Sequence, residues 1–485
     1  MGYNDDLLSS QNIDGKKLAV TGITWWDNAI NKYDPAYYQG LKLVDNREYS
    51  FYSTLPYTYD TRYNFSASYR VDQSNLFGAD PKFRKTPLWS VGGQWNISNE
   101  RFFQSNVISN LGLRVTYGLT GNFDRSSLTT TYLVASRFFN AIANDYVARL
   151  QTPPNPKLRW ERTQTFNLGA DVGLLKNRFN LTFDYYRKYS YDLLGTQDLD
   201  PTVGLTSATV NAANMINQGV ELNLKANIIN AKNFSWSSNL NLGYNTNKIT
   251  SNKVTDSDPA INRPKGTVPY LEGYPRDAMW SYKWAGLDNA GRPQVYDANG
   301  NKIYVANAGS LIYSGTSRPK LSGGWSNTFR YKGLEASAFL VFNYGQVARR
   351  EMPNLYGYDW SGAYNNQIAQ RWRQPGDELK TDIPAIADIA YLSDDYSRAA
   401  TLSSNSIIDA SFVRLREVQL GYNFKPAFLK GTPFKSIRAV AQMNNLYLFA
   451  KNKYGIDPEA IIGGSNPVYG LPEPLITTFG LNFSL

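Results

Sequence analysis

From residue 48 onward, apolar side chains recur at every second position, in short runs separated by polar segments. The stretch 217–248, "NQGVELNLKANIINAKNFSWSSNLNLGYNTNK", shows the pattern twice. Val220, Leu222, Leu224, Ala226 and Ile228 alternate with Glu221, Asn223, Lys225 and Asn227. After the link Asn230 to Asn233, Phe234, Trp236, Leu240, Leu242 and Tyr244 alternate with Ser235, Ser237, Asn239, Asn241 and Asn245. Period two over this length predicts an antiparallel hairpin with two unlike faces. Similar rows run through Tyr63–Val71, Trp89–Ile97, Leu111–Leu119, Phe166–Leu174, Phe179–Tyr185, Leu321–Tyr331, Leu334–Tyr344, Val418–Phe424, Ile437–Met443 and Phe479–Leu485. Counted from 48–58, they give about thirteen strands.

The connections alternate in length. They are short at Asp60–Thr61, Leu175–Asn177, Asn230–Asn233 and Lys332–Gly333, and long at 120–160, 189–217, 247–317, 348–410 and 450–474. A soluble sandwich uses strands of about five or six residues around a core about 10 Å thick. Membrane-spanning barrels instead need strands of about ten residues, apolar outward and polar inward, with short periplasmic turns, long extracellular loops and aromatic girdles. The pattern matches the second description, so the fold class is all-β: an antiparallel transmembrane β-barrel with about 13–14 strands present. The Leu/Val/Phe rows then face lipid and the Asn/Ser/Glu/Lys rows a watery lumen. With short turns periplasmic, the last strand ends in the periplasm.

Composition sharpens this. The 485 residues include 35 Tyr, 11 Trp and 23 Phe, a surplus that suits girdled strands. No run approaches the roughly 18 apolar residues of a membrane-spanning helix. Cysteine and histidine are both absent, which excludes thiol catalysis, disulfides, Cys/His zinc sites and Ser-His triads. The formal charge of +10 is spread over single Lys and Arg residues, without a nucleic-acid-binding motif. No catalytic residue, metal ligand set or cofactor motif emerges. The first twenty residues lack a secretory signal pattern; segment 1–47 stays unassigned, apart from a possible strand over Leu18–Trp25.

Several segments then resemble one family, the SusC/RagA-type TonB-dependent outer-membrane transporters of the Bacteroidetes. They are "TRYNFSASYRVDQSNLFG" (61–78), "NPKLRWERTQTFNLGADVGLLKNRFNLTFDYYRKYSYDLL" (155–194), "MINQGVELNL" (215–224), "GYPRDAMWSYKWAGLD" (273–288), "SRPKLSGGWSNTFRYKGLEASAFLVFNYG" (317–345), "SFVRLREVQLGYNFKP" (411–426) and "AQMNNLYLFAKNKYGIDPE" (441–459). The resemblance implies a barrel of about 22 strands around a plug, and location in the bacterial outer membrane against its lipid. It also implies import of glycan fragments or peptides, with a SusD-like surface lipoprotein as lid and TonB, ExbB and ExbD as energy source. Neither plug nor TonB box is recognisable in this chain. It therefore reads as the C-terminal portion of such a transporter, truncated at its gene or paired with a separate N-terminal polypeptide carrying plug and remaining strands. A passive, porin-like or purely structural barrel is the alternative; a soluble carbohydrate-binding β-protein is a third reading.

Candidate contact residues cluster in 348–410: Tyr356, Tyr358, Trp360 and Trp372 beside Arg349, Arg350, Arg371 and Arg373. Such side chains stack on sugars or grip carboxylates; packing against neighbouring loops or a lid is the better reading. Asp297, Asn299 and Asn301 have calcium-loop spacing, but Lys302 and Ala308 occupy the positions where such a loop needs Gly and Glu, so an Asn-Gly turn is the better reading. Asp394 and Asp395, adjacent on a serine-rich segment, read as solvated rather than as a paired acid site.

Overall fold

The period-two rows become one antiparallel sheet. The computed structural model describes residues 48–74, 85–122, 134–140, 145–152, 155, 157–200, 202, 207–254, 263–264, 270–356, 366–388, 393–424, 431, 433–462 and 468–484. Segment 1–47, with the strand expected over Leu18–Trp25, lies outside them, as do Tyr358 and Trp360. The sheet strands are β1 (Glu48–Tyr59), β2 (Tyr63–Ser74), β3 (Lys85–Asn96), β4 (Ile108–Asn122), β5 (Glu161–Leu174), β6 (Phe179–Asp198) and β7 (Ser207–Asn230). They continue with β8 (Phe234–Asn252), β9 (Leu321–Tyr331), β10 (Leu334–Tyr344), β11 (Phe412–Asn423), β12 (Ser436–Ala450) and β13 (Ile476–Ser484). These thirteen pair in sequence order, each with its chain neighbours.

Register keeps the two faces apart. Val172, Leu181, Leu224, Leu240, Trp325 and Leu340 lie opposite one another across six strands. One position along, Asp171, Thr182, Asn223 and Asn241 line up on the other face. A slip of one residue would send every apolar side chain to the polar side. The polar face is internally bonded: Arg114 donates to Asp171 at 2.8 Å and reaches Asp184 at 3.2 Å, and Asn223 donates to Asn241 at 2.6 Å. On the apolar face near the short turns, Trp236 stacks on Phe329 with centroids 5.5 Å apart. Its indole N–H donates to Asn327, and that of Trp325 to Ser238. Amphipathic rings at this level form the aromatic belt of a membrane barrel. Leu113, Val115, Leu168, Phe183 and Trp325 of this face are exposed, as a lipid-facing wall requires and a sandwich core does not.

The short turns are tight because the backbone turns left-handed there, with positive φ at Asp60, Thr61, Leu175, Lys176, Asn177 and Lys332. Two details depart from the sequence reading. The loop expected at 189–217 is mostly strand: β6 runs to Asp198 and β7 starts at Ser207. Alternation is lost there because the ladder bulges around Asp192 (φ 59°), and polar groups bond on both sides. In β7 the apolar row also shifts register at Ile228, since a bulge places Ile229, not Ile228, opposite Trp236. At both bulges the inserted residues re-aim the strand without breaking it.

The sheet is open. Among the described residues, strand β1 pairs only with β2, and β13 only with β12. Both edge strands are exposed along their described length. Unpaired edges cannot stand in hydrocarbon, where water is unavailable to satisfy N–H and C=O groups.

Candidate functional site

At the long-loop end, segments joining β8–β9, β10–β11 and β12–β13 fold onto one another. Ala278–Tyr282 pairs with Leu311–Thr316, and Val347–Arg349 with Ile407–Asp409. Trp284–Leu287, Pro293–Tyr296 and Lys302–Ile303 make a small sheet. Helix α1 (Asp394–Thr401) closes the assembly, and the Ser393 hydroxyl caps it by accepting from the Tyr396 N–H. Asp394 and Asp395 occupy its first turn, where carboxylates favour the helix dipole. Met352, Leu355, Tyr356, Ile383 and Ala400 form its apolar core.

That core holds much of the candidate contact set. Arg349 is buried and donates to the Ser406 hydroxyl at 2.8 Å and the Trp280 carbonyl at 2.7 Å; Tyr469 from the last long loop donates to the Arg349 carbonyl. Burial pushes its guanidinium down to about 10, still cationic at neutral pH. Arg350, 2 % exposed, donates to the Asn405 carbonyl, Gln367 and Asp382, and lies 4.1 Å from the centroid of the Tyr454 ring. Tyr356, 1 % exposed, stacks on Tyr396, and burial raises its phenol. Trp372 donates to Glu378 at 3.0 Å. Arg371 and Arg373 return to the carbonyls of Ile368 and Ala369. The structure thus brings Arg349, Arg350 and Tyr356 into the interior that knits three loops together. Trp372 and Arg371 stay half-buried, and Arg373 is exposed.

The Asp297 carboxylate accepts from the N–H groups of Asn299 and Asn301, both at 2.8 Å, and from the Asn301 side chain at 3.0 Å. It closes the Asn-Gly turn on itself.

Asp288 organises a neighbouring turn. It accepts from the backbone N–H of Ala290 and Arg292, from the Arg292 guanidinium at 2.7 Å and from the Tyr304 hydroxyl at 2.9 Å. Burial alone would raise this carboxyl; the bonds from Arg292, Tyr304 and Ala290 outweigh it and hold the group below the usual carboxylate range. Its stabilisation is therefore complete above the unfolded pKa, about 3.9, and lost as pH falls through the lower folded value. Asp288→Asn should cost about 2 kcal/mol at neutral pH and remove this loop's destabilisation in acid. Hydrogen exchange of the 284–304 amides between pH 7 and pH 3 checks both; an unchanged acid limb in the variant refutes the assignment.

Sequence reasoning missed two ionic centres. Asp192, 4 % exposed, accepts from Arg159 and Arg162, the latter at 2.6 Å. Arg414, also buried, grips Asp457 and Glu459 of the last long loop at 2.5 Å each, while Arg416 pairs with Glu459. Their partners lie 30–43 residues away in the chain, so no local spacing signals them.

Comparison with known proteins gives consistent matches. The family model described as TonB dependent receptor-like, beta-barrel matches residues 2–452. TonB-dependent receptor P39 of Formosa agariphila is 28% identical over 466 residues, covering 84% of this chain and 43% of that protein. TonB-dependent receptor SusC of Bacteroides thetaiotaomicron is 28% identical over 459 residues, covering 90% and 43%. Among solved structures, that of the RagAB peptide transporter superposes with a TM-score of 0.74 at 25% identity, over 91% of this chain and 48% of that one. The chain spans about half the length of the curated relatives it matches.

Proposed function

Because this chain belongs to the TonB dependent receptor-like β-barrel family of the bacterial outer membrane, we propose that it supplies thirteen wall strands of a SusC-type importer. The observation that carries this reading is the open sheet. Its apolar row matches a lipid-facing wall and its polar row a lumen, yet among the described residues β1 and β13 each leave one edge unpaired. A barrel closes only when further strands pair with those edges. About nine more would complete a 22-stranded barrel, whose lumen is wide enough for a plug. Those strands and the plug, whether on the same or a separate polypeptide, would couple to TonB, ExbB and ExbD.

The cargo class is glycan fragments or peptides, captured with a SusD-like lipoprotein over the long-loop end. The buried Arg349–Arg350–Tyr356 core supports this reading by making that end a built platform. On it, the half-buried Arg371 and Trp372 and the exposed Arg373 are the candidate set's accessible groups among the described residues for lid or cargo. The family is one of receptors and transporters, and enzymatic turnover forms no part of the reading.

The test is intact mass and partner identification on the protein extracted in mild detergent from its native outer membrane, with uptake measured with and without a protonophore. The expected result is the 54.6 kDa sequence joined to, or copurifying with, plug-bearing strands and a lipoprotein, and uptake abolished by the protonophore. The same chain alone, with protonophore-insensitive flux, would leave a passive pore.

A further inference from the structure

Near the top of β5 and β6, the outward face carries a cavity of about 400 Å³ whose lining includes Arg159, Arg162, Tyr189, Tyr191, Asp192 and Lys253. The side of the wall follows from register. Arg162 lies opposite Tyr191, Gln164 opposite Tyr189 and Phe166 opposite Arg187, in one row with Leu168, Ala170 and Val172 below. The cavity thus opens on the lipid-facing side.

Its height follows from strand length. Arg162 is twelve positions above Leu174, where β5 meets the short turn. At about 3.3 Å per residue and a tilt of about 45°, that is roughly 28 Å, just beyond an apolar band about 25 Å tall. This is the headgroup level of the outer leaflet.

The chemistry there is cationic and preformed. The lining carries three basic groups against one carboxylate. Asp192 is already shared by both arginines on a bulge held at φ 59°. Asn211 accepts from the Arg159 N–H at 3.0 Å and donates to the Asp192 carbonyl at 2.7 Å. The Arg162 guanidinium lies 4.6 Å from the Tyr191 ring centroid, and Tyr191 stacks on Tyr189. Among the described residues the buried Arg162 Nε has no hydrogen-bond partner, and the ammonium of the exposed Lys253 pairs with no carboxylate. Fixed guanidinium donors suit phosphate oxygens, and tyrosines suit the interface between acyl chains and headgroups.

We propose that this cavity binds the phosphorylated headgroup of an outer-leaflet lipid, fixing the wall's height and orientation in the membrane. The site needs the outer-membrane location only, and stands whether or not the barrel imports anything.

The test uses the full complex purified from its outer membrane and reconstituted into phosphatidylcholine bilayers doped with bisphosphorylated lipid A. Retention is read by native mass spectrometry, with dephosphorylated lipid A and inorganic phosphate as separate probes. The wild type should retain the bisphosphorylated lipid and not the dephosphorylated one, with inorganic phosphate a weak competitor. Lys253→Gln, which breaks no bond within the wall, should weaken retention about fivefold, and Arg162→Gln with Lys253→Gln by about 25-fold. Equal retention by wild type and Lys253→Gln overturns the proposal, as does equal retention of the two lipids. Displacement by inorganic phosphate at lipid-equivalent concentration would make it a soluble-anion site and overturn the lipid assignment. Uptake measured on the same variants separates this outcome from failure of the importer reading.

Discussion

Arg414→Ala is expected to cost about 3–5 kcal/mol in the long-loop end of the wall and to release the segment after β12. Arg414 is buried in β11, and its guanidinium meets Asp457 and Glu459 at 2.5 Å each. Truncation leaves the Asp457 carboxylate, 7 % exposed, without its counter-charge, and an uncompensated buried charge costs more than the intact pair contributes. The double variant Arg414→Met with Asp457→Leu removes the buried pair and leaves Glu459 to Arg416, so it should recover most of the loss. Limited proteolysis at 451–475 and hydrogen exchange on the assembled complex read the release. If Arg414→Ala leaves both unchanged, the ionic centre does not hold the loop, and Tyr469 on the Arg349 carbonyl is the anchor to test next.

Leu224→Arg is expected to destabilise the assembled barrel by about 2–4 kcal/mol, against about 0–1 kcal/mol for a charge near the interface. Leu224 lies between Leu181 and Leu240 on the apolar row. It is six positions from the end of β7, close to half the height of the apolar band. The control is its neighbour Asn223→Arg. That position faces the lumen between Thr182 and Asn241, so the substitution should cost little beyond one hydrogen bond, about 1 kcal/mol. Heat-modifiable gel mobility of the complex in phosphatidylcholine bilayers, titrated with urea, compares the two. A larger loss for Asn223→Arg than for Leu224→Arg would invert the two faces and undo the wall assignment, including the outward placement of the phosphate site.

The sequence by itself determined the wall. Period two fixes which side chains share a face, and strand length with the alternation of short and long connections fixes the class. The strands read from residue 48 onward are those of the sheet among the described residues, because strand identity rests on local periodicity and on turns that need only a few left-handed residues. The motifs quoted for the SusC/RagA-type resemblance agree with the family match.

Only the tertiary structure decided what lies above the wall. The sequence leaves Arg349, Arg350 and Tyr356 between cargo contact and packing against neighbouring loops, because a loop without a period does not say which side chains turn inward. Their burial comes from segments over fifty residues away, through Ser406, Asn405 and Gly291. The Asp192 and Arg414 centres, the continuation of β6 and β7 through 189–217 and the bulge at Ile228 follow the same rule. An ion pair or bulge depends on which strands become neighbours, and the chain specifies neighbours only once its apolar rows have registered across the sheet.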